Sequence, residues 1–177
     1  FEKLVAKASP KDTLALYADK IESTFATVFR QAAMFRFEQK VHEYRREKGE
    51  LSGDMLGAIW QEEQQAMFDG SVELGEQHSS WWSYVSHFYS VPFYVYAYSF
   101  GELLSLSLFQ MAKDQGADFE DKYVKLLKLG GSRTPFELMQ TVGVDMKDPA
   151  FWHGGMRVIE GFVCEFERLW KEYRPSR

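Results

Sequence analysis

Ten aromatic residues crowd the twenty positions from 81 to 100, and His87 lies among them. Five of the ten are tyrosines, whose hydroxyl groups need hydrogen-bond partners when they are buried. A histidine and several tyrosine hydroxyls that converge form a set of donors that can bind peptide carbonyls or stabilise a developing oxyanion. Aromatic core packing is the competing interpretation, and we prefer it for Phe88, Phe93 and Phe100. For His87, Tyr94 and Tyr96 both interpretations stay open on the residues alone.

Other patterns that could carry chemistry are weak. The segment His42-Glu43-Tyr44-Arg45-Arg46 begins like the zinc motif in which two histidines, four positions apart, share one helix face. Arg46 stands where the second histidine would be, so a solvated helix face is the better interpretation. The one cysteine, Cys164, lies on the apolar side of the last predicted helix, which is typical of an inert core thiol. We find no nucleophile elbow and no phosphate-binding loop.

Composition limits the classes of function. Of the 177 residues, 45% are apolar and 27% are charged, which is typical of a globular protein. The net charge of −5 gives no electrostatic reason to expect nucleic acid. The sequence contains no run of eighteen uncharged apolar residues, so we predict no membrane span. The first residues do not resemble a signal peptide. Without a signal peptide or a disulfide framework, we expect the cytoplasm.

The apolar residues recur every three or four positions, and this spacing predicts helices. Ser9-Pro10 is typical of a helix start, and apolar positions then continue to about Glu47, with Gly49 after them. Three further starts are predicted by a cap or by a proline in the first turn, namely Ser52-Gly53-Asp54, Thr134-Pro135-Phe136-Glu137 and Asp148-Pro149. An amphipathic helix is also predicted from Phe119 to Leu129, before Gly130. We therefore predict an all-α fold without a significant sheet, and one helical region over residues 1–177.

Two predictions concern the elements that would position the aromatic residues. Residues 69–90 show little periodicity and contain Gly70 and Gly75, which favours a loop. Pro92 suits the first turn of a helix that runs to about Asp114. Tyrosines would then project from both sides of its first turns, Tyr96 on one face and Tyr94 and Tyr98 on another.

The run from Ser86 to Gly101, SHFYSVPFYVYAYSFG, resembles a stretch of the oligoendopeptidase F branch of the thimet-type zinc metallopeptidases. Other segments agree with that branch in the same order. They are Phe29-Arg30-Gln31, Phe35-Arg36-Phe37-Glu38, Val41-His42-Glu43, Tyr123 to Leu129, Gly130-Gly131-Ser132, Pro135, Leu138 and Gly143-Val144-Asp145-Met146. The resemblance covers essentially the whole chain, and the tyrosine-rich run is its most specific part.

The resemblance implies a metalloendopeptidase of short peptides, in which two helical lobes flank a deep channel. Zinc is held there by His-Glu-x-x-His on one helix and by a glutamate on the next. These ligands would precede the present sequence, which begins at Phe1 without an initiator methionine. We therefore expect a C-terminal part of the catalytic domain, with no metal site and no activity of its own.

By motif match, the resemblance implies that His87, Tyr94 and Tyr96 contact the scissile carbonyl and the substrate backbone, and that Tyr89 and Tyr98 contact substrate. The expected partners are short peptides and the N-terminal remainder of the same chain, with no nucleic acid and no membrane. Exposed lobe-facing surface could also drive self-association. The alternative function is a non-catalytic helical module that binds peptides in an aromatic groove. A His-Glu-x-x-His encoded upstream of Phe1 would favour the enzyme over this module.

Overall fold

The structure is a computed structural model that describes residues 1–173, and the described residues form helices and no strand, which confirms the predicted all-α class. In chain order they are α1 (Glu2–Val5), α2 (Pro10–Thr24), a π-helical segment (Phe25–Phe29), α3 (Arg30–Lys48), α4 (Gly53–Phe68), a 3₁₀ helix (Glu76–Tyr84), α5 (His87–Ser90), α6 (Tyr96–Gln115), α7 (Ala117–Leu129), α8 (Pro135–Gln140) and α9 (Pro149–Tyr173). They fall into two compact units. We call Phe25–Phe100 the central unit, and Phe1–Thr24 with the chain from Gly101 onward the terminal unit.

The predicted helix caps are confirmed, because side chains bind the free N–H groups of the first turns. Ser52 Oγ accepts from the Met55 N–H at 3.3 Å, at the start of α4. Thr134 and Glu137 form a reciprocal capping box at α8. After α3, Gly49 takes a φ of 101°, a conformation that is open to glycine and unfavourable for other residues. The interpretation of Gly130 as a break is likewise confirmed, since its φ is 52°.

The central unit is built on a core of five buried residues, Met34, Phe37, Trp60, Val85 and Val95. They come from α3, α4 and the chain on either side of α5. Phe37 and Trp60 meet edge to face, with ring centroids 5.3 Å apart, a preferred geometry for aromatic pairs. Phe88 packs against this core, as predicted.

The π-helical segment ties the start of α6 into the central unit. The Ser99 hydroxyl donates to the Val28 carbonyl at 2.8 Å. Arg30, which follows the segment, places Nη2 2.5 Å from the Tyr84 hydroxyl. Segments of π-helix are rare in proteins overall but occur frequently at functional sites. This one anchors the first turn of α6, and Arg30, the first residue of α3, contacts the end of the 3₁₀ helix.

The terminal unit has a second core, formed by Leu108, Phe119, Met139, Val142 and Val144. Helices α2 and α9 pack together, and α9 approaches α6 closely at Gly155, whose N–H donates to Ser107 Oγ at 3.0 Å. None of the described helices combines the length and hydrophobicity needed to cross a membrane.

Four sequence predictions are wrong, one of them the core position of Phe93, which is exposed. Residues 69–90 are not simply a loop, because they contain the 3₁₀ helix and α5. The helix predicted from Pro92 begins at Tyr96. Cys164 is exposed and is no core thiol, since the apolar side of α9 is partly open there, with Val163 and Trp170 also exposed.

Candidate functional site

The segment from 85 to 95 is held to the core of the central unit at both ends. Val85 lies just before α5 and is buried, and Val95 is 0% exposed just before α6. Between them the backbone makes the single turn of α5, in which the Ser90 N–H donates to the Ser86 carbonyl at 3.0 Å. This attachment leaves the side chains between the two valines at the surface, in positions set by the core.

Three of the predicted site residues come together on this surface. His87 Nε2 lies 3.0 Å from the Tyr98 hydroxyl, which joins α5 to the first turn of α6. The ring of Tyr94 is nearly parallel to that of His87, at 7° with centroids 6.5 Å apart, and meets Tyr98 edge to face at 5.6 Å. We call His87, Tyr94 and Tyr98 the His87 cluster.

The other two predicted residues lie outside the His87 cluster. Tyr96, the first residue of α6, packs its ring edge to face on Phe35 at 5.8 Å, while Tyr89 is the most exposed of the five residues. Tyr89, Tyr94 and Tyr96 each expose half or more of their surface. Their hydroxyl groups are therefore open to a ligand, and a phenolic hydroxyl can both donate and accept a hydrogen bond.

His87 is suited to orienting a polar ligand. A neutral imidazole has one donor and one acceptor nitrogen, and Tyr98 occupies Nε2. The second nitrogen, Nδ1, is then the ring atom that can bind a carbonyl oxygen or an amide N–H of a ligand. Together with the Tyr94 hydroxyl it forms a small polar set on an aromatic surface.

Phe93 has an unusual backbone conformation next to this set. Its φ is 59°, in the left-handed region that costs a residue with a side chain about 1–3 kcal/mol. Its N–H donates to Glu38 Oε1 at 2.7 Å. Because the left-handed turn separates Pro92 from α6, Phe93 lies outside the helix and is exposed, and the predictions of a helix from Pro92 and of Phe93 in the core are both wrong. Sequence reasoning missed Glu38, since nothing local marks a carboxylate whose partner is distant in the chain.

His42, the first residue of the incomplete zinc motif, packs its ring on Phe93 with centroids 4.6 Å apart. Within residues 1–173, no group of three His, Cys, Asp or Glu side chains is arranged to hold a metal ion. The described residues of this chain thus do not fit a zinc ion.

A second buried carboxylate of the central unit, besides Glu38, takes part in ion pairs. Glu63 on α4 is 2% exposed and accepts from Arg36 Nε at 2.7 Å, with Lys40 Nζ 2.5 Å from its other oxygen. Burial alone would raise the pKa of Glu63, but the hydrogen bonds from Lys40 and Arg36 outweigh it and lower the pKa. This network joins α3 to α4.

Comparison with known proteins gives consistent matches. The sequence profile of Peptidase family M3 matches residues 2–158. Oligoendopeptidase F, plasmid, of Lactococcus lactis subsp. cremoris is 28% identical over 159 residues, which are 90% of this chain and 26% of that protein. Oligopeptidase PepF of Bacillus subtilis is 26% identical over 166 residues, 94% of this chain and 25% of that protein.

The fold matches as well. The crystal structure of oligoendopeptidase-F from Enterococcus faecium aligns with a TM-score of 0.87 and 26% identity, over 97% of this chain and 33% of that one. The chain spans about a quarter of the length of the curated relatives it matches. These matches confirm the resemblance stated from the tyrosine-rich run.

Proposed function

The chain belongs to peptidase family M3, and from this premise we propose that it supplies the substrate-binding part of a zinc-dependent metalloendopeptidase that hydrolyses short peptides. The observation that carries the proposal is the His87 cluster, in which the Tyr98 hydroxyl lies 3.0 Å from His87 Nε2 beside the exposed side chain of Tyr94. This arrangement has the donors that an extended peptide backbone requires, on a surface attached to the core at Val85 and Val95.

In the proposed reaction, His87 orients the peptide through Nδ1. The hydroxyl of Tyr94 or Tyr96 donates a hydrogen bond to the carbonyl oxygen of the scissile bond. As that oxygen gains negative charge, the hydrogen bond becomes stronger, and a donor of this kind contributes about 10² to 10³ in rate. Tyr89 and Tyr98 present aromatic surface on which neighbouring substrate residues pack.

Zinc dependence is part of the proposal and depends on family membership, because the described residues form no metal site. We propose that the ligands belong to the N-terminal remainder of the same enzyme, which would also be the partner of this region, and that the region alone is inactive. Apolar residues exposed on it, such as Trp170 and Leu127, could drive self-association when it is produced alone. The cytoplasm remains the predicted location.

The test compares this chain alone with the chain extended by the sequence encoded upstream of Phe1. Zinc content and cleavage of fluorescence-quenched short peptides are measured for both. We expect neither stoichiometric zinc nor cleavage from the chain alone, and both from the extended protein. Tight zinc binding with cleavage by the chain alone would contradict the proposed division. Peptide binding without cleavage in the extended protein would favour the non-catalytic peptide-binding module.

A further inference from the structure

We propose that Glu38 is a positioning residue, a buried carboxylate on α3 that holds the backbone of Phe93 so that Tyr94 is presented beside His87. This inference rests on the proposed function for its role in peptide cleavage. The placement of Tyr94 by Glu38 can be tested without any cleavage.

The contact itself is direct. The Phe93 N–H donates to Glu38 Oε1 at 2.7 Å, across 55 positions in sequence. Glu38 is 3% exposed, and a hydrogen bond is electrostatically stronger where water is excluded. Its second oxygen, Oε2, is buried without a hydrogen-bond partner among the described residues. Within the described residues, the Glu38 side chain thus accepts its hydrogen bond from the Phe93 amide.

The backbone at Phe93 needs such a support. Its φ of 59° belongs to a region that residues with a side chain occupy only where the surroundings impose it. Two residues of α3, Glu38 and His42, contact Phe93 and can impose this conformation. They lie on the same face of the helix because they are four positions apart. Glu38 binds the amide, and His42, one turn further, packs on the ring at 4.6 Å. This face of α3, which carries the incomplete zinc motif, therefore contacts both the backbone and the side chain of Phe93.

This support determines where Tyr94 lies. Tyr94 stands between Phe93, which α3 holds, and Val95, which is 0% exposed in the core. A change of φ at Phe93 would rotate the following peptide and move the Tyr94 ring out of its parallel arrangement with His87. Glu38 thereby links α3 to the His87 cluster through the backbone of Phe93, without contacting the residues of the cluster itself.

The test uses imidazole ¹⁵N resonances of this chain, which has only four histidines, so that His87 can be resolved. We expect Glu38→Ala to shift the His87 resonances, because Tyr94 moves away from the ring. Glu38→Gln should leave them in place, because its amide oxygen still accepts from Phe93. Glu63→Gln is the matched control, a buried carboxylate of the same unit that pairs with Arg36 and Lys40, and it should leave them in place too.

A second measurement needs no variant. In the unaltered chain the Phe93 amide proton should exchange slowly with solvent, although the residue is exposed, because the proton is bonded to Glu38. In the extended enzyme, Glu38→Ala should lower kcat more than it raises KM, by up to about a hundredfold for a small misplacement of a catalytic group, and Glu38→Gln should restore most of it.

Unchanged His87 resonances in a folded Glu38→Ala variant would overturn the inference. If that variant does not fold, fast exchange of the Phe93 amide proton in the unaltered chain would overturn it instead. Shifted resonances with a protected amide would support it. Since both readouts are independent of cleavage, a failure of the proposed peptidase function would be seen separately, as an extended protein without activity.

Discussion

His87 and Tyr98 are joined by a contact of 3.0 Å between Nε2 and the phenolic oxygen, with ring planes at 84°. The two residues are eleven positions apart and lie on different helices, α5 and α6. The contact engages one imidazole nitrogen and the Tyr98 hydroxyl together. It leaves Nδ1 of His87 and the hydroxyls of Tyr94 and Tyr96 as the groups through which we propose that the site binds a peptide.

Removal of this contact should disturb the histidine and leave the fold intact. In Tyr98→Phe the ring still packs on Tyr94, but His87 loses the partner of Nε2. We expect a shift of the His87 imidazole resonances and weaker binding of short peptides, with a change in unfolding free energy of about 1 kcal/mol or less for one exposed hydrogen bond. Tyr89→Phe is the control, and an equal shift of His87 in both variants would contradict the assigned contact.

The proposed oxyanion donor can be identified by comparing Tyr94→Phe and Tyr96→Phe in the protein extended by its upstream sequence. The variant that removes the donor should lose about 10² to 10³ in kcat, with little change in zinc content. The geometry favours Tyr94, which lies beside His87, whereas the sequence resemblance left both residues open. Unchanged turnover in both variants would remove the proposed role from these tyrosines.

We expect the buried Glu63 to make the central unit sensitive to acid. Its pKa is lowered in the folded state, so its contribution to stability is fully present above the unfolded pKa near 4.5 and is lost as the pH falls through the lower folded pKa. Glu63→Gln should flatten this dependence. The measurement is hydrogen exchange of amides near Trp60 between pH 7 and pH 3.

Glu62→Gln is the matched control for that experiment. Glu62 also lies 2.9 Å from Lys40, but its side chain is 66% exposed, where an ion pair contributes little. We expect the acid sensitivity to persist in this variant. The same pH dependence in Glu63→Gln and Glu62→Gln would show that another group is responsible.

The close approach of α6 and α9 can be tested at Gly155. A Cβ there would lie 2.8 Å from Ser107 Oγ and 2.9 Å from the Leu103 carbonyl oxygen. Gly155→Ala should therefore destabilise the terminal unit by about 1–3 kcal/mol. Gly161→Ala on the same helix meets no atom within 4 Å and should stabilise it by up to about 1 kcal/mol. Denaturant unfolding followed by circular dichroism compares the two, and equal effects would contradict this packing.

The sequence carried the fold class and most helix boundaries because these depend on neighbouring residues. Ser52 and Thr134 cap helices through atoms three positions away, and Gly49 and Gly130 end them through their own backbone freedom. The family resemblance could likewise be recognised from the sequence alone, through the order of motifs around the tyrosine-rich run. The profile and fold matches confirm this resemblance.

The tertiary structure alone decided which of these aromatic residues meet. Pro92 suggested a helix start, yet Glu38, far away in sequence, holds Phe93 in a left-handed turn that delays the helix to Tyr96. That delay sets Tyr94 and Tyr98 around His87 and turns Tyr96 toward Phe35. Such an arrangement depends on a bond between two distant residues, whereas periodicity and capping describe only the few residues on either side of a position.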